Sequence, residues 1–128
     1  MSSTEEYGSQ EHKALAVKWF AKLRDDLCFA LELAEADIEG PNDSSELGPG
    51  KFQRKSWKRP GEGGKLGGGG TMAIMRGRVF EKAGVNISEV EGEFSQEFRK
   101  NMPGADQDPR FWAAGISVVI HPKSPLVP

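Results

Sequence analysis

Seven of the eleven residues from Pro60 to Gly70 are glycine, and four of them, Gly67 to Gly70, are consecutive. Glycine in a helix costs about 1 kcal/mol per residue relative to alanine, so this stretch cannot be helical. It also brings almost no side chains to a core. The sequence therefore expects a loop here, either a flexible surface segment or one whose bare backbone closes over a ligand. Immediately before it, Lys51–Arg59 holds five basic residues, no acidic one, and the aromatics Phe52 and Trp57. Such a run is usually a solvated face, but it can also attract a polyanion or a single-stranded nucleic acid.

Phosphate cradles are the first test of a glycine-rich loop. A P-loop needs Gly-x-x-x-x-Gly-Lys-Ser/Thr. Here Gly64-Lys65 is followed by Leu66, and position 59 is Arg, so the pattern fails at both ends. Gly68-Gly69-Gly70-Thr71-Met72-Ala73 fits the alanine-ended dinucleotide fingerprint, but no apolar strand precedes it. Nucleotide binding is not indicated.

The flanking segments are more regular. From Gln10 to Ala36 the apolar residues Ala16, Phe20, Leu23, Leu27, Ala30, Leu31 and Ala34 recur at three- and four-residue steps. That is one face of a helix, with Ser9 as N-cap and Gly40-Pro41 as its stop. Residues 1–9 are expected to be disordered and 40–50 to form a loop. Thr71–Met75 and Val79–Phe80 are short apolar segments, and Gly84–Val90 could be a strand. Ser95–Asn101 could be a short helix, ended by Pro103-Gly104. The clearest strand is Phe111–His121, centred on the β-branched run Ile116–Ile120. The chain then finishes at Pro128, leaving little sequence to cover that strand. An open sheet with bare edges is something proteins avoid, so we expect this to be part of a longer protein. A hydrophobic content of 37% is also thin for 128 residues, and points to core contributed from elsewhere.

Composition narrows the rest. The net charge of −2 demands neither nucleic acid nor an acidic membrane surface. A lone cysteine, Cys28, excludes an internal disulfide and reads as a small buried hydrophobe on the helix. No stretch approaches the ~20 apolar residues of a membrane span. The polar, acidic Met1–Gln10 is not a signal peptide. These features imply a soluble, cytoplasmic protein. Metal sites need convergent ligands, and the only histidines, His12 and His121, have no ligand-like spacing. Ser117 and His121 share one strand at even spacing, so both face the same way about 13 Å apart. That is too far for a nucleophile and its base, but it suits two contacts to one large ligand.

Trp57-Lys58-Arg59, the run Gly67–Gly70, and Gly77-Arg78-Val79-Phe80-Glu81-Lys82-Ala83-Gly84-Val85-Asn86-Ile87-Ser88 closely resemble the oxygen-dependent coproporphyrinogen III oxidases. The likeness resumes at Gly115-Ile116-Ser117-Val118-Val119-Ile120-His121-Pro122, with Pro125 and Pro128 following. Gly92–Arg99 and Pro109–Trp112 look like the bacterial branch. The likeness covers about Trp19 to the last residue, as the N-terminal portion of such an enzyme. Between Arg59 and the four glycines, Pro60–Leu66 is longer than the usual family loop.

The resemblance implies an α+β fold, a broad antiparallel sheet flanked by helices, with 10–128 as the N-terminal part of one domain. It implies oxidative decarboxylation of two propionates of coproporphyrinogen III to the vinyl groups of protoporphyrinogen IX. Molecular oxygen is the acceptor and no organic cofactor is essential. It places a substrate-contacting serine at Ser117, and His121 where a divalent metal ligand is sometimes assigned. It implies a homodimer, with Val85, Asn86, Ile87, Ser88, Val90 and Phe94 in the dimer-forming segment. The family's proton-donor histidine and its Asn-x-Arg would come beyond Pro128, so these residues alone should be inactive. The alternative is a non-catalytic module that binds a tetrapyrrole or another polyanion.

Overall fold

The computed structural model describes residues 9–37, 48–61 and 66–127. The expected disorder of 1–8, the Gly40-Pro41 stop and most of the Pro60–Leu66 loop lie outside them. Helix α1 spans Gln10–Ala36. Its boundaries follow from capping: the Ser9 hydroxyl accepts the His12 N–H at 3.2 Å, satisfying a donor that the first turn leaves orphaned. Strands β1 (Gln53–Pro60), β2 (Leu66–Met75), β3 (Phe80–Glu93) and β4 (Arg110–Pro122) follow, with a one-turn helix α2 (Gln96–Arg99) between the last two. The strands form one antiparallel sheet in the order β1-β2-β3-β4.

Side chains alternate across a strand, so the register sorts every residue to one of two faces. Ala73, Val85 and Ile116 share the face on which α1 lies, packed with Leu27, Cys28, Leu31 and Phe52. Met75, Phe80 and Ala83 extend that core under the last turns of the helix. Ala73, Ala83 and Val85 are fully buried, and their small size lets the helix approach the sheet closely. Burying a side chain such as Met75 or Phe80 stabilises by roughly 1.5–3 kcal/mol. The helix face is rotated relative to the sequence expectation: Ala30 and Ala34 are exposed, whereas Cys28 and Glu35 are buried.

The glycine run is not a loop. Gly67–Gly70 lie within β2; Gly69 and Gly70 pair with both neighbouring strands, Gly70 opposite Trp57 on one side and Ser88 on the other, and Gly68 pairs with Val90 of β3. A Cβ at Gly70 would collide with the Ile87 carbonyl oxygen and press on the Trp57 indole. Gly68 has φ +112°, a conformation that side chains disfavour. The glycines let three strands and an indole ring come together.

Ser95 caps α2 by accepting the Phe98 N–H. Phe94 stacks on Phe111 at 4.8 Å and tilts against Phe98 at 5.3 Å. This aromatic group closes one end of the sheet. Across the turn, the Asp108 carboxylate accepts from both the backbone and the guanidinium of Arg110, which holds its carboxyl down to about 2.

Candidate functional site

The sheet face away from α1 carries the polar and basic residues. Gln53, Lys55, Trp57 and Arg59 alternate onto it from β1, and Met72 and Ile74 from β2. Lys82, Asn86, Ser88 and Val90 reach it from β3, and Ser117, Val119 and His121 from β4. The expectation that Ser117 and His121 share a face follows from the register. Ser117 stands opposite Asn86, and His121 opposite Lys82.

A groove of about 630 Å³ lies along the β1–β2 side, lined by Lys51, Gln53, Arg54, Lys55, Met72, Ile74 and Arg76. Arg54 alternates towards the helix face, where its guanidinium pairs with Asp25 at 2.8 Å. Lys51, 3.9 Å from the Glu32 carboxylate, Lys55 and Arg76 are the exposed cations around the thioether and alkyl side chains of Met72 and Ile74. An apolar floor with a cationic rim is built to receive an amphiphilic polyanion. The basic run Lys51–Arg59 thus divides between two faces, because it is a strand.

Glu35 fixes the two segments that carry the ends of this groove, and its role was not foreseen. It is fully buried. Its carboxylate accepts the backbone N–H groups of Gly50, Arg78, Val79 and Phe80 at 2.8–3.4 Å. The Arg78 guanidinium in turn donates to the carbonyl oxygens of Glu35 and Ala36, closing the helix end. Burial pushes the Glu35 carboxyl up, but the N–H groups of Phe80, Val79, Arg78 and Gly50 outweigh it and hold it below its usual range. No Cβ fits at Gly77, where it would strike the Glu35 carboxylate. Gly50 precedes Lys51, and Gly77 follows Arg76, so the clamp positions two of the three groove cations. The sequence signal was a glutamate one turn beyond Leu27 and Leu31 on the core face.

The residues expected at a dimer interface divide between the faces. Val85 is fully buried beneath α1 and presents no surface. Ile87 alternates to the same side. Asn86, Ser88 and Val90 face outward on the second face, and Phe94 belongs to the aromatic group. Cys28 is buried as a free thiol, and burial pushes its pKa up, away from reactivity. His121 is exposed, and among the described residues no three His, Cys, Asp or Glu side chains group to hold a metal ion. The described residues do not fit a metal site at His121.

A family model for coproporphyrinogen III oxidase matches residues 16–128. The chain belongs to that family. Among its relatives, the oxygen-dependent coproporphyrinogen-III oxidase of Rickettsia felis is 52% identical over 118 residues, 92% of this chain and 39% of the relative. The Rickettsia typhi protein of the same name is 53% identical over 121 residues, with the same coverage. That of Rickettsia bellii strain RML369-C is 48% identical over 120 residues, 94% of this chain and 40% of the relative. The chain thus spans about two fifths of the length of the curated oxidases it matches. The α+β fold expected for the family, an antiparallel sheet with helices, is the one observed. No helix among the described residues is long and apolar enough to cross a membrane.

Proposed function

We propose that the open sheet face forms part of a binding site for coproporphyrinogen III, in an enzyme that decarboxylates two of its propionates with molecular oxygen as acceptor. What carries this reading is the placement of Ser117 on the same face as the cation-rimmed groove. Three strand spacings, about 14 Å, separate β1 from β4. A flat macrocycle with carboxylates on its periphery needs that layout. Lys55 and Arg76 would pair with propionates, Met72 and Ile74 would lie beneath pyrrole rings, and Ser117 would hydrogen-bond at the far edge. The protein's contribution is orientation and control of protons on an electron-rich substrate. A homodimeric, cytoplasmic enzyme completes the reading. One cysteine, kept as a buried thiol, suits a reducing compartment.

Calorimetric titration with coproporphyrin III, an oxidation-resistant analogue, tests the site. Lys55→Ala with Arg76→Ala should weaken binding about tenfold or more, since charge-assisted hydrogen bonds are worth 1.5–3 kcal/mol each. A porphyrin without carboxylates should bind both forms alike. Unchanged affinity in that variant and in Ser117→Ala would refute the assignment. In anaerobically prepared coproporphyrinogen followed by oxygen, the 128-residue chain alone should bind without turnover. Protoporphyrinogen formation would show that its own residues suffice. The second reading, a non-catalytic polyanion-binding module, draws on Trp57 beside the cations. It predicts binding of single-stranded nucleic acid that weakens steeply with salt and is not displaced by porphyrin.

A further inference from the structure

Arg76 stands between the end of β2 and the start of β3. Its side chain is exposed, but its backbone is held on both sides. Before it, Met75 pairs with Ala83 in the ladder. After it, the Gly77 N–H donates to the Phe80 carbonyl at 3.0 Å. That turn is itself fixed. The consecutive N–H groups of Arg78, Val79 and Phe80 all donate to the Glu35 carboxylate, at 2.8, 2.9 and 3.1 Å. The Val79 carbonyl accepts the Lys123 N–H at 2.9 Å. Successive backbone N–H groups turned towards one point make a concavity for an anion. Here the helix fills it with a carboxylate of its own.

The device supplies direction more than stability. A buried charge is costly, and apolar packing of similar volume often serves a core as well. What apolar packing lacks is a set of directional bonds that fixes a backbone in one place. The next turn of the helix repeats the arrangement. Glu32 accepts the Phe52 N–H at 2.9 Å, and Glu35 accepts that of Gly50 at 3.4 Å. Two carboxylates one turn apart therefore tie both segments at the ends of the groove to one rigid helix. Lys55 needs no such tie, because it sits within β1 and is placed by the ladder opposite Met72. Arg76 lies beyond the ladder and depends on the turn.

We propose that Glu35 is a positioning residue of the substrate site: through the backbone of the Gly77–Phe80 turn it sets where the Arg76 guanidinium meets a propionate. It touches no substrate itself, being buried under the helix on the other side of the sheet. The inference rests on the reading of the open face as a coproporphyrinogen site. A guanidinium grips a carboxylate through two parallel N–H···O bonds, so its direction matters in a way that an ammonium's does not. One cation of the site is thus placed by the sheet and the other by the helix, and Glu35 governs only the second.

A double-mutant cycle, read by calorimetric titration of the 128-residue chain with coproporphyrin III, tests this. Arg76→Ala should weaken binding about fivefold and Glu35→Gln about threefold. The combined variant should bind as Arg76→Ala does, because a residue that acts through Arg76 has nothing to act on once the guanidinium is gone. Added to Lys55→Ala, Glu35→Gln should keep its full effect. Gly77→Ala, whose methyl would strike the Glu35 carboxylate, should weaken binding as Glu35→Gln does, and it stands in should that variant fail to fold. Val85→Ala, a truncation in the core of the same sheet, should lower Tm and leave the affinity unchanged. Wild-type affinity in Lys55→Ala and Arg76→Ala alike would overturn the substrate-site reading and this inference together. With Lys55→Ala weakened, wild-type affinity in Arg76→Ala, or in both Glu35→Gln and Gly77→Ala, would overturn the positioning role alone. So would a further loss when Glu35→Gln is added to Arg76→Ala, or an equal loss in Val85→Ala.

Discussion

The two halves of helix α1 meet the sheet in opposite ways. At the C-terminal half, a buried carboxylate gathers four backbone N–H groups and an arginine caps the helix end. At the N-terminal half, Val17 and Phe20 lie over the glycines of β2, Thr71 and Ile87, and a cavity of about 360 Å³ remains between them. Support there comes from the edges, with Lys13 placed 5.7 Å over the Trp112 ring and the Trp112 indole donating to Glu89. One end is fixed by directional bonds that tolerate no replacement. The other is loosely filled, because glycines supply no side chains to fill it. The lesson is that a helix with a thin apolar supply can be anchored at one point instead of packed along its length.

The contrast makes testable demands. Glu35→Ala should have the largest effect, a loss of roughly 3–5 kcal/mol in urea unfolding, since four buried donors lose their acceptor. Glu35→Gln keeps one acceptor oxygen and should lose less. The same end should fail first in acid. The Glu35 carboxyl ordinarily titrates at 4.5 and lies lower in the folded chain. Its contribution is therefore complete above 4.5 and fades as pH falls towards the folded value. The acid limb of a stability–pH curve should flatten in Glu35→Gln; an unchanged limb would remove the clamp from the account.

At the loose half, the glycines themselves are the tight spot. Gly70→Ala must part β2 from β3 or displace the Trp57 ring, and should cost about 1–3 kcal/mol with a shift in tryptophan emission. The smallest effect should be a gain. Val17→Leu extends into the cavity and should stabilise by about 0.5–2 kcal/mol in thermal unfolding. A loss of similar size would mean that the cavity walls cannot accept the added carbon, and the two halves would be less different than described.

The helix and the last strand were legible because their signals are local. Capping by Ser9 and the rhythm of Phe20, Leu27 and Leu31 give α1, and Ile116–Ile120 gives β4. The glycine run has no strand signature in the sequence because strand periodicity is carried by side chains, and Gly67–Gly70 have none. What makes it a strand is its neighbours, Trp57 and Ser88, far away in sequence. The shared face of Ser117 and His121 could be read from even spacing. The groove could not, since it needs the register that brings Lys55 opposite Met72. Glu35 is hidden in the sequence for the same reason: a charged residue on a core face makes sense only once the backbone of Arg78–Phe80 has wrapped around it.

That wrapping has a consequence for the order of events during synthesis. Glu35 and Phe80 are 45 residues apart in the chain. At bacterial and eukaryotic elongation rates of about 5–20 residues per second, roughly 2–9 seconds separate their emergence. Through that interval α1 has neither its carboxylate engaged nor its end capped, and its core face is open to solvent. The helix is locked to the rest of the chain only when the β2–β3 turn arrives to claim Glu35.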